Sequence, residues 1–200
     1  MTATYHPLSC RCGGLQGRVA LKGISNHLVC HCRDCQAFAR YLGQAQETLD
    51  PQGGSTIVQV APDRVEITQG QAHLAAMRLS PKGLLRWYAA CCRTPLGNTM
   101  PSQRQPFVGL LHNSLNSAPL EQSFGPVRGH FSTASATGEP RPAEGRLLPV
   151  ALRVIGMMLG SLLSGRYRRT PFFSNAHTPV VEPHVISVEE RERLRGAPQS

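Results

Sequence analysis

Short apolar runs broken by turn residues dominate the first hundred positions. Val19 and Leu21 alternate within a Gly-flanked stretch at 15–21. Ile57-Val58 lies inside 55–60, and Val65 and Ile67 inside 64–68, with A-P-D between the two runs. A further turn, S-P-K-G, separates 72–79 from 84–90. β-Branched residues suit a pleated, half-buried surface, and Pro, Gly and Asp suit the turns between. The pattern therefore predicts a mainly β fold, a small antiparallel domain. One short helix is predicted over 34–42, with Gly43 as its stop.

A different pattern governs 147–163, L-L-P-V-A-L-R-V-I-G-M-M-L-G-S-L-L. Leu148, Leu152, Ile155, Leu159 and Leu162 recur at helix spacing, and Pro149 fits a first turn. The segment is shorter than the roughly 20 apolar residues that a span needs, and it contains Arg153. The reading favours a helix packed on the domain over an interfacial, dimerising or spanning one. Gly156 and Gly160 form G-x-x-x-G, so the helix also offers a homodimer surface.

The chain divides accordingly. Residues 1–100 form the β domain and hold every cysteine. Residues 101–145 read as a loop-rich connection, interrupted by the apolar stretch 107–111. Residues 146–200 read as a C-terminal extension: the apolar helix and a Pro-rich, charged end, packed on the domain.

At 200 residues the chain can bury a core without disulfides. Its net charge of +9 is spread along the chain, and the densest run is Arg166-Tyr167-Arg168-Arg169. A short cluster of that kind favours a soluble basic surface over nucleic-acid binding, so neither nucleic acid nor a membrane is the expected partner. The opening M-T-A-T-Y-H-P-L-S-C has no basic and no apolar leader region, which points to the cytoplasm. In that compartment seven clustered cysteines read as metal-binding or catalytic, not as a disulfide framework.

The cysteines fall in three places: Cys10 and Cys12 in C-R-C-G, Cys30, Cys32 and Cys35 in C-H-C-R-D-C, and the adjacent Cys91 and Cys92. Residues two apart on a strand share a face, and a C-x-x-C pair converges around a first helical turn. C-x-C-x-x-C uses both spacings and can set three thiolates on one ion. Three protein ligands with an open position characterise catalytic zinc, and four closed ligands structural zinc. Two other readings stand beside the open site: a structural zinc completed from elsewhere, for instance by one of the eight histidines, and an inert reduced cluster. His31 is a poor ligand for the same ion, because between two ligands on an extended segment it points away.

Three segments carry a resemblance to the glutathione-dependent formaldehyde-activating enzyme and centromere protein V family. S-C-R-C-G-G-L-Q-G resembles that family's C-x-C-G-x-x-x-G, V-C-H-C-R-D-C-Q its C-H-C-x-x-C, and C-C-R-T-P-L its C-x-x-C-G-[ST]-x-L. The match covers residues 8–100 in order and spacing. It implies a zinc-binding β-tent with one to two zinc ions. By this resemblance Cys10, Cys12 and Cys92 hold a structural zinc, and Cys30, Cys32 and Cys35 a catalytic one. The implied chemistry is that of a carbon–sulfur lyase acting on the adduct of glutathione, or a similar thiol, with a small aldehyde. The third motif departs from the pattern. Ala89 stands at the first cysteine position, and Arg93 at the glycine. Either the backbone kinks so that Cys91 serves, or that site has three cysteines. The alternative function is a non-enzymatic zinc-stabilised β module that binds protein or nucleic acid.

Overall fold

The computed structural model describes residues 4–115 and 118–196. In chain order the strands and helices are β1 (Tyr5–Ser9), β2 (Gln16–Ala20), β3 (Asn26–Cys30), α1 (Arg33–Tyr41), α2 (Ala45–Thr48), β4 (Ser55–Val60), β5 (Val65–Gln69), β6 (Leu74–Arg78), β7 (Leu85–Ala89), β8 (Thr94–Thr99), β9 (Val108–Leu111), α3 (Leu120–Phe124), β10 (His130–Phe131), α4 (Leu147–Leu163), β11 (His184–Val185) and α5 (Val188–Gly196).

Eight strands form one sheet in the order β10-β3-β4-β9-β8-β7-β6-β11, and β1-β2-β5 form a second. All internal pairs are antiparallel. The short edge strands β10 and β11 add in parallel to β3 and β6. The fold is thus sheet-rich but mixed α/β, with parallel edges that the antiparallel expectation did not contain.

Side chains alternate across the large sheet, and each face has its own cover. Val58, Ala76, Trp87 and Leu110 join Leu8 and Val19 of the small sheet and Leu15 from the β1–β2 connection, together with Phe172 and Phe173. On the opposite face Met77 and Leu111 meet Ala37, Phe38 and Leu42 of α1 and Leu194 of α5. Helix α1 is therefore clamped between the sheet and α5, and this fixes its N-terminal end beside Cys30.

All five strand runs and both helices expected from the hydrophobic pattern form. Gly43 ends α1 with φ 65°, a left-handed conformation that glycine adopts without steric cost. The 101–145 segment contributes more than connection: its apolar stretch becomes β9, between β4 and β8. Strand β8, T-P-L-G-N-T, is buried at all six positions. Its polar groups are matched across the sheet: Trp87 Nε1 donates to Thr99 Oγ1 at 2.9 Å, and Arg86 Nη1 to Asn98 Oδ1 at 3.2 Å.

Helix α4 has the predicted limits, but it packs through a different face than the leucine spacing implies. Val150, Met157 and Ser161 are the buried positions. Arg153 also turns inward, donating from Nε to Asn26 Oδ1 at 3.0 Å and from Nη2 to the Ser25 carbonyl at 2.9 Å. Leu148, Leu152, Ile155 and Leu159 are exposed. Polar anchors, not the leucines, choose the inner face. Among the described residues no helix is long and apolar enough to cross a membrane.

Candidate metal centres

Cys30 ends β3, Cys32 is the N-cap of α1, and Cys35 lies in the first turn of that helix. Cys32 keeps extended backbone angles (φ −65°, ψ 146°), so the chain passes from strand to helix between the outer two cysteines. The Cys35 N–H donates to Cys32 Sγ at 3.4 Å. Unpaired N–H groups at a helix start favour a thiolate there. The Cys30 and Cys35 sulfurs are 3.8 Å apart, and all three sulfurs lie within 4.8 Å of one another. A tetrahedral zinc with bonds of about 2.3 Å sets its sulfurs about 3.8 Å apart. A disulfide needs about 2.05 Å, and all seven cysteines are free. The donor set therefore fits a metal.

Among the described residues no further His, Cys, Asp or Glu joins this group. His31 is fully buried and its ring is engaged elsewhere, with Nδ1 3.1 Å from the Gln52 carbonyl and Nε2 3.0 Å from His130 Nδ1. The Gln36 amide donates to the carbonyls of His31 and Ser135 at 2.8 and 2.9 Å, bracing the loop from inside.

Close packing makes the three thiols unequal. Hydrogen bonds from Cys30 and Cys32 hold Cys35 well below the usual thiol range against its burial, and Arg86 adds positive charge. Cys30 is pushed far up by its hydrogen bonds to Cys32 and Cys35 and by burial. In Cys32 the lowering bond from Cys30 is outweighed by Cys35 and burial, which push it up to about 11. Of the three, Cys35 is the thiol whose hydrogen bonds and neighbouring buried Arg86 most favour the thiolate. A divalent cation removes the cost of deprotonating the other two.

The second centre joins β1–β2 to β7–β8. Cys10 Sγ lies 3.5 Å from Cys12 Sγ and 3.7 Å from Cys91 Sγ, Cys12 lies 3.3 Å from Cys91, and Cys91 lies 3.9 Å from Cys92. All four sulfurs lie within 4.8 Å, which makes a closed four-thiolate set. The kink that Cys91 requires is present. Cys91 and Cys92 sit in the turn between β7 and β8, where Arg93 N–H donates to the Ala89 carbonyl at 2.8 Å. Arg93 has φ 58°, a left-handed conformation. Gly14 leaves room for the cluster: a Cβ there would stand 3.3 Å from Cys91 Sγ and 3.4 Å from Cys12 Sγ.

Thr94 is a part of this centre that residue spacing alone did not single out. Its hydroxyl is 3.0 Å from Cys92 Sγ and accepts from the Arg11 N–H at 3.0 Å. Burial raises the Cys92 thiol, but the bonds from Thr94 and from backbone N–H groups win and bring it down to about 6. Desolvation within the cluster and hydrogen bonds to Cys12, Cys10 and Cys92 push the exposed Cys91 thiol up to about 12.

Of the arginines near the motifs, Arg86 is buried beside Cys35 and Asp34, and Arg93 serves α1. Arg40 donates to the Leu194 carbonyl at 2.8 Å and so ties α1 to α5. Arg33, with Gln36, Thr137, Arg141 and Arg195, lines a polar groove of about 450 Å³ next to the triplet's helix.

No curated protein matches the chain. One solved structure that does is a crystal structure of a Rhodobacter sphaeroides protein from a structural genomics programme. It is 15% identical, with a TM-score of 0.39, over 60% of this chain and 96% of that one. A family model matches residues 2–184, both cysteine centres and α4 included, and the chain therefore belongs to the family of unknown function DUF6151.

Proposed function

We propose that the chain is a zinc-dependent, carbon–sulfur lyase-like protein of the glutathione-dependent formaldehyde-activating type. It acts on the adduct of glutathione, or a similar thiol, with a small aldehyde. The observation that supports this most is the pair of unlike cysteine centres: four sulfurs that close one site, and three that leave the other a position short among the described residues. In this reading Cys10, Cys12, Cys91 and Cys92 hold a structural ion, and Cys30, Cys32 and Cys35 an exchangeable one. The zinc β-tent reading of the fold belongs to the same proposal.

When bound, zinc supplies a Lewis acid and a soft docking point for a thiol. In the reaction the thiol adds across the carbonyl. A sulfur–carbon bond forms, the carbonyl π pair moves to oxygen, and the proton released by the thiol ends there. The reverse reaction breaks the same bond, and neither direction needs an oxidant. Arg33 on the groove wall would hold a carboxylate of the thiol carrier, because guanidinium pairs well with carboxylate, whereas Arg141 and Arg195 there already pair with Glu139 and with Asp34 and Glu192.

The test is exchange between formaldehyde and glutathione followed by NMR, with Cys32→Ser as the variant. Turnover should vanish while the circular dichroism spectrum is kept. Unchanged turnover in Cys32→Ser refutes the reading. An inactive wild-type chain that loads metal and retains a protein or nucleic acid favours the non-enzymatic module.

A further inference from the structure

Helix α4 turns most of its leucines outward. Its inner face carries Val150 and Met157 together with Arg153 and Ser161, and the two polar residues are hydrogen-bonded to the domain: Arg153 as described, and Ser161 Oγ to Asp63 Oδ1 at 3.2 Å. At 100° per residue the opposite face carries Leu148, Leu152, Ile155, Leu159 and Leu163. These are 69, 59, 52, 52 and 87% exposed. Leu147 adds a sixth exposed leucine-class side chain at the N-terminal end. A row of exposed apolar side chains rimmed by polar and charged residues marks a protein or membrane interaction site.

The charge around the ridge has one sign. From Gly145 to Val181 the chain has no Asp or Glu, and it has five arginines. Arg146 stands at one end of α4, and Arg166, Arg168 and Arg169 follow the other, all exposed. Lys22 and Arg128 are exposed on the segments beneath: Lys22 lines a groove with Gly156 and Met157, and the Arg128 N–H donates to the His27 carbonyl, next to Asn26. Two acids lie near. Asp63 is held by Ser161 and by Arg166 at 3.5 Å. Glu144 accepts from the Ser132 and Thr133 N–H groups at 2.9 Å.

We infer that this face docks on an anionic lipid surface. The leucines enter the boundary between headgroups and acyl chains, with α4 parallel to the membrane plane, and the flanking cations meet lipid phosphates. A helix of 17 residues is about 25 Å long, and here it is fixed lengthwise on the domain by Arg153 and Ser161, so it lies on a bilayer and does not cross it. Charge decides between a bilayer and a second copy. Paired antiparallel, two α4 helices would bring Arg146 of one against Arg166, Arg168 and Arg169 of the other. Paired in parallel, each arginine group would meet its own copy. The positions flanking the ridge, Ala151, Gly156 and Met158, offer no charge to set a register. An anionic surface meets both requirements of the face at once.

The test uses the full chain in co-sedimentation with two kinds of vesicle, phosphatidylcholine alone and phosphatidylcholine with one-third phosphatidylglycerol. The protein should sediment with the second kind and stay free with the first. High salt should weaken binding, and Arg168→Gln with Arg169→Gln should weaken it about thirtyfold, since each cation near such a surface contributes about 1 kcal/mol. Leu152→Ser with Leu159→Ser should abolish binding; both side chains face outward, and unchanged thermal unfolding verifies that the fold is kept. No sedimentation with the anionic vesicles overturns the inference, as does binding that ignores the leucine substitutions. Sedimentation equilibrium gives the remaining outcome: a dimer that the same leucine substitutions dissociate would assign the face to a second copy and overturn the inference.

Discussion

The guanidinium of Arg93 rests on the last turn of α1, with Nε donating to the Leu42 carbonyl at 3.1 Å and Nη2 to the Tyr41 carbonyl. Its charge also lies 5.5 Å from the Tyr41 ring centre. A cation at a helix C-terminus satisfies carbonyls that have no partner within the helix. Arg93 directly follows Cys92, and α1 begins at Cys32, so one nine-residue helix links the two cysteine centres. The residue that departs from the glycine of the resembled motif thus acquires a structural task.

This predicts an order among Arg93 variants. Arg93→Ala loses the bonds to both carbonyls and keeps a side chain at φ 58°. It should destabilise by about 1–3 kcal/mol. Arg93→Gly loses the same bonds but relieves the left-handed backbone, and should be milder by roughly 1 kcal/mol. Urea unfolding of the zinc-loaded chain measures both. An alanine variant no worse than the glycine variant would show that the backbone at 93 carries no strain.

Metal content separates the two centres. The purified chain should carry two zinc ions. Cys10→Ser and Cys32→Ser should each lower the count, but with different consequences for the fold. Cys10 helps to join the two sheets through a closed site, and apparent binding energies of structural zinc are about 10–16 kcal/mol. Its loss should drop the melting temperature steeply. Cys32 caps one helix at the sheet margin, and its loss should shift melting only slightly. Elemental analysis alongside calorimetry checks this, and equal shifts for the two variants would contradict the division into structural and open sites.

The cysteine triplet was legible because its geometry is local: a strand end, a bend and a first helical turn bring three sulfurs together within six residues. The role of Cys91 was not, because its direction depends on a left-handed Arg93 braced by carbonyls 51 and 52 residues away. The same contrast runs through the fold. Ser55–Val60 and Leu147–Leu163 appear with the limits that periodicity set, since pattern alone specifies them. The hydrophobic pattern predicts no strand at β8, whose Pro, Gly and Asn disfavour one. The segment becomes a buried strand only because Trp87 and Arg86 on β7 supply partners for Thr99 and Asn98. Polar positions in a core are specified by what lies across from them, and a single run of sequence does not contain that.

Arg64 illustrates how much one such partner set is worth. Its guanidinium donates to the carbonyls of Ala20 at 2.7 Å, Ile24 at 2.6 Å and Leu21 at 3.1 Å, closing the β2–β3 connection. Burial lowers its pKa to about 10, yet it stays charged at neutral pH. Arg64→Met keeps most of the volume and removes every donor. It should cost about 3–5 kcal/mol, since three carbonyls lose a charged donor together. Arg64→Lys should recover only part of this, because one ammonium cannot span all three oxygens in the plane of a guanidinium. Full recovery by lysine in denaturant unfolding would refute the geometric argument.

A pH dependence follows from His112. Burial holds its imidazole below the ordinary value of 6.5, favouring the neutral form. The unfolded chain therefore binds the proton first as pH falls. The stabilising contribution of neutral His112 is complete above pH 6.5 and is lost as pH drops from there toward the lower folded value. His112→Gln should flatten this acid limb in unfolding curves measured at several pH values. A limb unchanged by the substitution would place its origin in other groups.

The orientation of α4 yields the sharpest contrast between neighbouring residues, Leu152 and Arg153. If the leucine stripe were the packing face, as spacing alone implies, Leu152→Ser would open a cavity and cost about 2–5 kcal/mol, while Arg153 would be an expendable surface charge. The structure reverses this. Leu152 is exposed, so Leu152→Ser should change stability by no more than about 0.5 kcal/mol. Arg153 reaches Asn26 Oδ1 and the Ser25 carbonyl, and both Asn26 and Ser25 are buried. Arg153→Met should leave those oxygens short of a donor, at a cost of about 2–3 kcal/mol. Because Asn26 Nδ2 also donates to the Val150 carbonyl at 3.3 Å, the same substitution should loosen the first turns of α4 and speed amide exchange there. Denaturant unfolding and hydrogen exchange on the two single variants measure both effects. Only a helix held by its polar face gives a large cost at 153 and almost none at 152.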